Sequence, residues 1–225
     1  MSYVTEFKCF NNRSTKLRGA AMLDIVKMIY EANREEREKH KREENVYWVS
    51  DLVRCPLKRI YEMLYPELSA KEVFTPIFIL GNVAHWGIET FLKERLGDKV
   101  SIEVEGSREV TLPSGRSVVI KGRADAIIQL NENERIGVEV KTARSDTGIP
   151  QQHHKDQARI YNWLFNLEET ILLYITPERV TQYEVTDKVT EQEVIARILD
   201  TNYPRYSWEC GYCPYSVLCP YKKTS

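Results

Sequence analysis

GRADAIIQLNENERIGVEVKT, residues 122–142, decides the fold. An apolar run ends in the polar stretch Asn131-Glu132-Asn133-Glu134 and resumes as RIGVEVKT over 135–142, which predicts two strands joined by a short turn. So short a turn pairs them antiparallel. Side chains two apart share a strand face, so Val138 and Val140 take one face and Glu139 and Lys141 the other. The valines suit a core. Asp125 lies between Ala124 and the run Ala126-Ile127-Ile128, and the pairing brings it within reach of Glu139. Two carboxylates aimed at one point repel unless a cation lies between them, and hard oxygen ligands select Mg²⁺ or Mn²⁺. Lys141 beside that cation would polarise a water and neutralise charge building on a phosphate. The competing reading is a cross-strand ion pair on a solvated face, worth little.

Upstream, four β-type runs are read: VSIEVEG (100–106), SREVTL (107–112), RSVVIKG (116–122) and RADAIIQL (123–130), with Pro113-Ser114-Gly115 as a hairpin turn. Residues 74–96 read as a helix closed by Gly97. Ser50 is the expected N-cap of a helix over DLVRCPLKRIYEML, with Pro56 in its first turn or at a kink. Before it, REEREKHKREE (34–44) reads as the solvated face of a helix, with Glu35–Lys39 and Glu38–Arg42 at i,i+4 spacing. Downstream come a helix over about 151–167 and the strands TILLYITP (170–177) and RVTQYEV (179–185). Thr190 and Glu193 then form a capping-box pattern opening a helix to about 202. This order predicts an α/β fold with a mixed sheet flanked by helices. The middle turns are too short for the crossovers of a doubly wound parallel sheet.

The chain has 225 residues, which suits a single domain over 1–225 able to bury about 70% of its unfolded surface without staples. No run approaches the roughly 18 apolar residues of a membrane span, and MSYVTEFKCFNNRS has no signal-like core, so no membrane role and a cytoplasmic location are expected. With 32 basic against 33 acidic residues the chain is not built to coat duplex DNA, although a local basic site is compatible with that balance. Five cysteines, an odd number, argue against a disulfide framework.

Two i,i+4 pairs flank the strands. His85 is followed one turn later by Glu89 and preceded by Gly81, which would allow close backbone approach. Gln157 and Tyr161 share a face of the helix after the Glu139–Lys141 strand. His153 and His154 are read as surface residues at that helix's start. In order, then, the chain carries GxxxH (81–85), GRAD (122–125), EVK (139–141) and QxxxY (157–161). This set, over roughly residues 50–222, resembles the RecB-type branch of the PD-(D/E)XK nuclease superfamily and its restriction-endonuclease-like fold. Ala124 stands where that family often has a proline. The resemblance implies that His85, Asp125, Glu139 and the Val140 carbonyl hold Mn²⁺ or Mg²⁺, that Lys141 is the catalytic lysine, and that Gln157 and Tyr161 order the site or the DNA strand.

Cys210-Gly-Tyr-Cys213 with Cys219 is C-x2-C-x5-C, and Cys55 lies far upstream. A C-x2-C alone fits zinc equally well. One distant cysteine plus a C-terminal triplet, however, resembles the iron–sulfur clasp of AddB-like nucleases and, more closely for so short a chain, that of the CRISPR-associated exonuclease four family. That likeness implies a [4Fe–4S] or a [2Fe–2S] cluster, the former favoured, tying residues of about 50–65 to 205–222. Cys9 has no partner motif. The family further implies an exonuclease acting on single-stranded DNA, commonly 5′ to 3′, that processes protospacers beside integrase proteins. Oligomers occur among its members. Lys121, Arg123, Arg144, Lys155 and Arg159 lie near the motifs and could line a strand-guiding groove, with Tyr161 or Trp163 stacking bases, although Trp163 suits the core better. A DNA-end-binding module of the same fold, a virus- or plasmid-encoded repair nuclease and a zinc-stapled structural protein are the alternatives.

Overall fold

The computed structural model describes residues 23–39 and 42–223; Cys9 lies outside them. Strands β2 (Val100–Thr111) and β3 (Ser117–Gln129) form a long hairpin that turns at Gly115, whose φ of +82° suits glycine. The four expected β runs are thus two strands. Gly106 and Gly122, which read as boundaries, are paired mid-ladder. They lie beneath α5 (Gln152–Phe165): a Cβ on Gly122 would sit 2.7 Å from Leu164 and 2.9 Å from Tyr161, and one on Gly106 would collide with Phe165. Glycine inside a strand here marks the close approach of a helix.

β2 occupies one edge of β3 along nearly its whole length. The other edge is shared. Its start pairs parallel with the short β1 (Val46–Trp48) at Val119–Lys121, and its end pairs antiparallel with β4 (Arg135–Thr142) at Ala126–Gln129. Residues 122–125 pair with neither strand. From β4 the chain crosses through α5 to β5 (Glu169–Ile175), parallel to β4, and β6 (Val180–Val185) returns antiparallel. The sheet is mixed, as expected, and β1 is an addition too short to read from sequence.

Helices cover both faces. On one, α2 (Val49–Leu52), α5 and α6 (Glu191–Ile198) close over Val110, Val118, Ile120 and Ala124. On the other, Ile88, Leu92 and Leu96 of α4 (Pro76–Leu96) cover Val100, Ala126, Ile128, Val138 and Val140. Each fully buried Val, Leu or Ile contributes about 1.5–3 kcal/mol. The even-numbered residues of β3 change sides between these cores, while Ile127 stays in the first. Ala124 faces the first and Ala126 the second, and the change falls where the ladder skips Asp125 and Glu103, the latter at φ +48°.

The helix expected over 51–64 is two: α2, then α3 (Pro56–Leu64) with Pro56 in its first turn. Asp51, not Ser50, serves the first helix's start, its Oδ2 accepting from the Trp48 N–H at 3.0 Å. Gly97 ends α4, and the Thr190–Glu193 capping box opens α6, which stops at Ile198 rather than near 202. α1 (Ile25–Lys39) buries no residue, in keeping with a solvated helix. Its pairing differs from expectation: Lys39 meets Glu36 at 3.0 Å, and Arg42 beyond it meets Asp51 and Glu62 at 3.1 and 3.0 Å. No helix among the described residues is long and apolar enough to cross a membrane. The C-terminal segment carries one further short helix, α7 (Glu209–Tyr212).

Candidate active site

The gap on the shared edge of β3 becomes the site. Backbone groups left without a ladder partner there must find others. Asp125 Oδ2 accepts from the Val140 N–H at 2.7 Å, and the Tyr161 hydroxyl donates to the Arg123 carbonyl at 2.8 Å. From the α4 side, His85 Nδ1 comes within 3.2 Å of Asp125 Oδ2. Glu89, one turn further, joins them, and His85, Glu89 and Asp125 offer ligand atoms all within 4.8 Å of one another.

From the α5 side, Lys141 Nζ donates to Glu139 Oε1 at 2.7 Å and to Gln157 Oε1 at 2.9 Å. The Gln157 amide N–H groups donate to Glu139 Oε1 at 2.8 Å and to the Tyr161 oxygen at 3.1 Å. Glu139 Oε2 is buried and has no hydrogen-bond partner. The Glu139–Lys141 pair is therefore no solvated surface bridge, with side chains 4% and 15% exposed.

The electrostatics are those of crowded carboxylates. Burial, then the charges of Asp125 and Glu103, pushes Glu89 up to about 7. Burial and then Asp125 raise Glu139 as well, against the pull of Lys141. Burial would lower His85, but its hydrogen bond to Asp125 and that carboxylate's charge outweigh it, and the net shift is upward. Tyr161 is held far above its ordinary range by burial and by Glu139, so it remains a hydroxyl donor. A divalent cation fits this site on two observations: three ligand atoms already converge, and a buried carboxylate oxygen stands unpaired in the same network.

Asp125, Glu139, Lys141, Gln157, Tyr161, His85 and the Val140 backbone thus come together as expected. Glu89 was missing from the expected ligand set; its i,i+4 spacing from His85 was the available signal. Gly81 is not a tight spot, since a Cβ there would lie 3.7 Å from Thr142 Oγ1, an ordinary contact. Tyr161 and Trp163 are 5% and 8% exposed and cannot stack on bases; Trp163 lies under Arg108 in the core. His153 and His154 are half-buried rather than open surface residues. His154 Nδ1 is 2.6 Å from the Tyr174 hydroxyl, and burial followed by the charge of Lys141 lowers His153 to about 4.

The five basic residues do not form one groove. Lys121 pairs with Glu43 at 3.9 Å, and Arg123 pairs with Glu36 at 2.6 Å and Glu103 at 3.6 Å. Arg159 is held by Asp187 and by Glu193 at 3.1 Å, and with Lys155 it lines a cleft beside Tyr183 that Arg144 does not share.

Cys55, Cys210, Cys213 and Cys219 are all free thiols and line one cavity of about 240 Å³ with Tyr61 and Trp208. Their sulfurs are not drawn together as the His85 group is. Glu209 ties the two regions without metal, accepting from Cys55 N–H at 2.7 Å and Tyr206 N–H at 2.8 Å. Burial raises the Cys55 and Cys213 thiols. Four thiols around one cavity fit a bound iron–sulfur cluster in the chemistry of the donor set.

Known proteins align with this arrangement. The model of the PD-(D/E)XK nuclease superfamily matches residues 24–220. The CRISPR-associated exonuclease Cas4 of Saccharolobus solfataricus is 44% identical over 204 residues, covering 89% of this chain and 100% of that protein. The crystal structure of SSO0001 superposes with a TM-score of 0.84 at 43% identity, over 89% of this chain and 98% of that one. With the carboxylate–lysine site in place and likeness of this extent, the chain belongs to the PD-(D/E)XK nuclease superfamily and, within it, to the family of the CRISPR-associated exonuclease.

Proposed function

We propose that this nuclease is a metal-dependent exonuclease that shortens single-stranded DNA, 5′ to 3′, and trims protospacer ends in the cytoplasm beside CRISPR integrase proteins. The observation that carries the metal-dependent reading is the unpaired, buried Glu139 Oε2 in one network with the His85, Glu89 and Asp125 cluster. The DNA and adaptation readings lean on the name of the Saccharolobus relative. His85, Glu89, Asp125, Glu139 and the Val140 carbonyl would hold Mn²⁺ or Mg²⁺. Bound there, the cation would ease deprotonation of the attacking water near neutral pH and offset phosphate charge.

The chain's own residues do the positioning. Asp125 orients the His85 ring, and its second contact, to the Val140 N–H, fixes the carboxylate against β4. Gln157 holds Glu139 and Lys141 together, so that the ammonium stands where negative charge would build on a phosphate oxygen. Tyr161 anchors Gln157 to the backbone of β3. The four cysteines would hold an iron–sulfur cluster, [4Fe–4S] rather than [2Fe–2S], with a structural role: it would close a long loop of chain.

The test is cleavage of end-labelled single-stranded DNA by anaerobically purified protein with Mn²⁺, beside Lys141→Ala. Shortening from the 5′ end by brown wild-type protein, lost in the variant, is the expected result. A folded, brown wild type that cleaves nothing would overturn the exonuclease reading and leave a DNA-end-binding module.

A further inference from the structure

Where β4 ends, the chain enters the loop 143–150. This loop, the first turn of α4 and the segment 206–212 enclose a cleft of about 710 Å³. It opens at the end of β4 that carries Lys141: Thr142 forms part of its wall, and so does His153, which feels the charge of Lys141. In a chain with 33 acidic residues, no carboxylate lines it, and Arg144 is its one arginine or lysine. Arg144 makes no ion pair among the described residues, unlike Lys121, Arg123 and Arg159.

The rim is aromatic and exposed: Phe78 is 52%, Trp208 47% and Tyr212 76% exposed. Trp208 is also braced. Tyr206 stacks on it nearly parallel, 15° between planes at 5.8 Å, His153 lies at 5.1 Å, and Tyr212 meets it edge-on at 6.5 Å. A ring already fixed yet half open to solvent loses little freedom when a flat group stacks on it. Unpaired cation, the hydroxyl and amide side chains of Thr142, Ser145 and Gln152, and braced aromatic rim together match unpaired nucleotides, whose bases stack without sequence preference while phosphates follow the positive charge. A duplex keeps its base faces covered and offers no such contact.

We infer that this cleft carries the single strand into the active site, with bases stacking on Trp208 and Tyr212 and Arg144 holding a phosphate. The identity of the ligand rests on the exonuclease reading. In that reading the cleft lies beside Lys141 and continues the strand away from the cut.

The test is fluorescence anisotropy of labelled oligothymidylate with the full, cluster-loaded protein in the absence of divalent cation. Tyr212→Ala and Trp208→Ala are each expected to weaken binding about 5- to 100-fold, and Trp208→Phe to restore most of it. Arg144→Ala is expected to weaken binding and to lower the slope of log affinity against log salt by about 1. Because Trp208 and Tyr212 also wall the cysteine cavity, a 5-bromodeoxyuridine oligomer is crosslinked to the wild type as an independent reading, with crosslinks expected within 206–212. Wild-type affinity in the Tyr212 and Arg144 variants, or crosslinks confined to β2 and β3, would overturn the assignment. Wild-type protein that binds no oligothymidylate would overturn it as well. Cleavage and its loss in Lys141→Ala are read separately, so the path can fail while the exonuclease reading stands.

Discussion

Glu139 gives one carboxylate oxygen to two neighbours and leaves the other with none, while Glu89 is crowded by Asp125 and Glu103. Without metal, Glu89 keeps its proton up to about pH 7, whereas in an unfolded chain it would lose it near 4.5. The folded state therefore binds more protons between these values, and the stability this gives is lost as pH rises through the window. Metal binding expels the proton, so the signs reverse for affinity. Calorimetric titration should find Mn²⁺ affinity falling as pH drops below about 7. Glu89→Gln should lower it by about tenfold or more at pH 8 and flatten that pH dependence. Unchanged affinity would remove Glu89 from the ligand set. At this scale Asp125, Glu139 and Lys141 were legible because alternation in a strand forces side chains to declare their face. The pairing of the basic residues was not: Glu36, Glu103 and Glu193 reach Arg123 and Arg159 from elements distant in sequence, and no local pattern announces them.

Gly106 and Gly122 mark the element scale. They were read as strand ends, and they are the points at which α5 presses onto the hairpin. Sequence alone cannot separate a glycine that ends a strand from one that makes room over it, because the second depends on helix residues about 40 to 60 positions later. Gly122→Ala puts a methyl group 2.7 Å from Leu164 and 2.9 Å from Tyr161. Urea denaturation should register a loss of about 1–3 kcal/mol. Because Tyr161 supports Gln157, cleavage should fall more than stability alone explains. Tyr161→Phe isolates the second part: it leaves the Arg123 carbonyl without its donor, at about 1–3 kcal/mol, while keeping the ring's packing. A variant as stable and active as wild type would mean that the hydroxyl is idle. The Thr190–Glu193 box and the close of α4 at Gly97 were legible to the residue, since capping is decided within a few positions. The break between α2 and α3 was hidden because Pro56 is compatible with the first turn of a helix as well as with a kink inside one.

Across the whole molecule, the mixed sheet and its flanking helices followed from turn lengths, while the shared edge of β3 did not, because β1 is three residues long and pairs with a strand about 70 positions away. That shared edge opens the gap in which Asp125 turns to β4, and at the same place the even-numbered residues of β3 pass from the first core to the second. A strand that packs into the first layer along its start and into both layers along its end, where Ile127 faces the first and Ala126 and Ile128 the second, acts as a common beam. Neither layer can melt while the other keeps its grip on the beam. Native-state hydrogen exchange should therefore release amides 118–121 and 126–128 at one common free energy, in a single opening that takes both layers down; two separate levels would contradict it. Asp125 and the carboxylate cluster of the candidate site sit at the midpoint of that beam, so their arrangement has no half-folded form in which to persist, and thermal inactivation should coincide with global unfolding instead of preceding it.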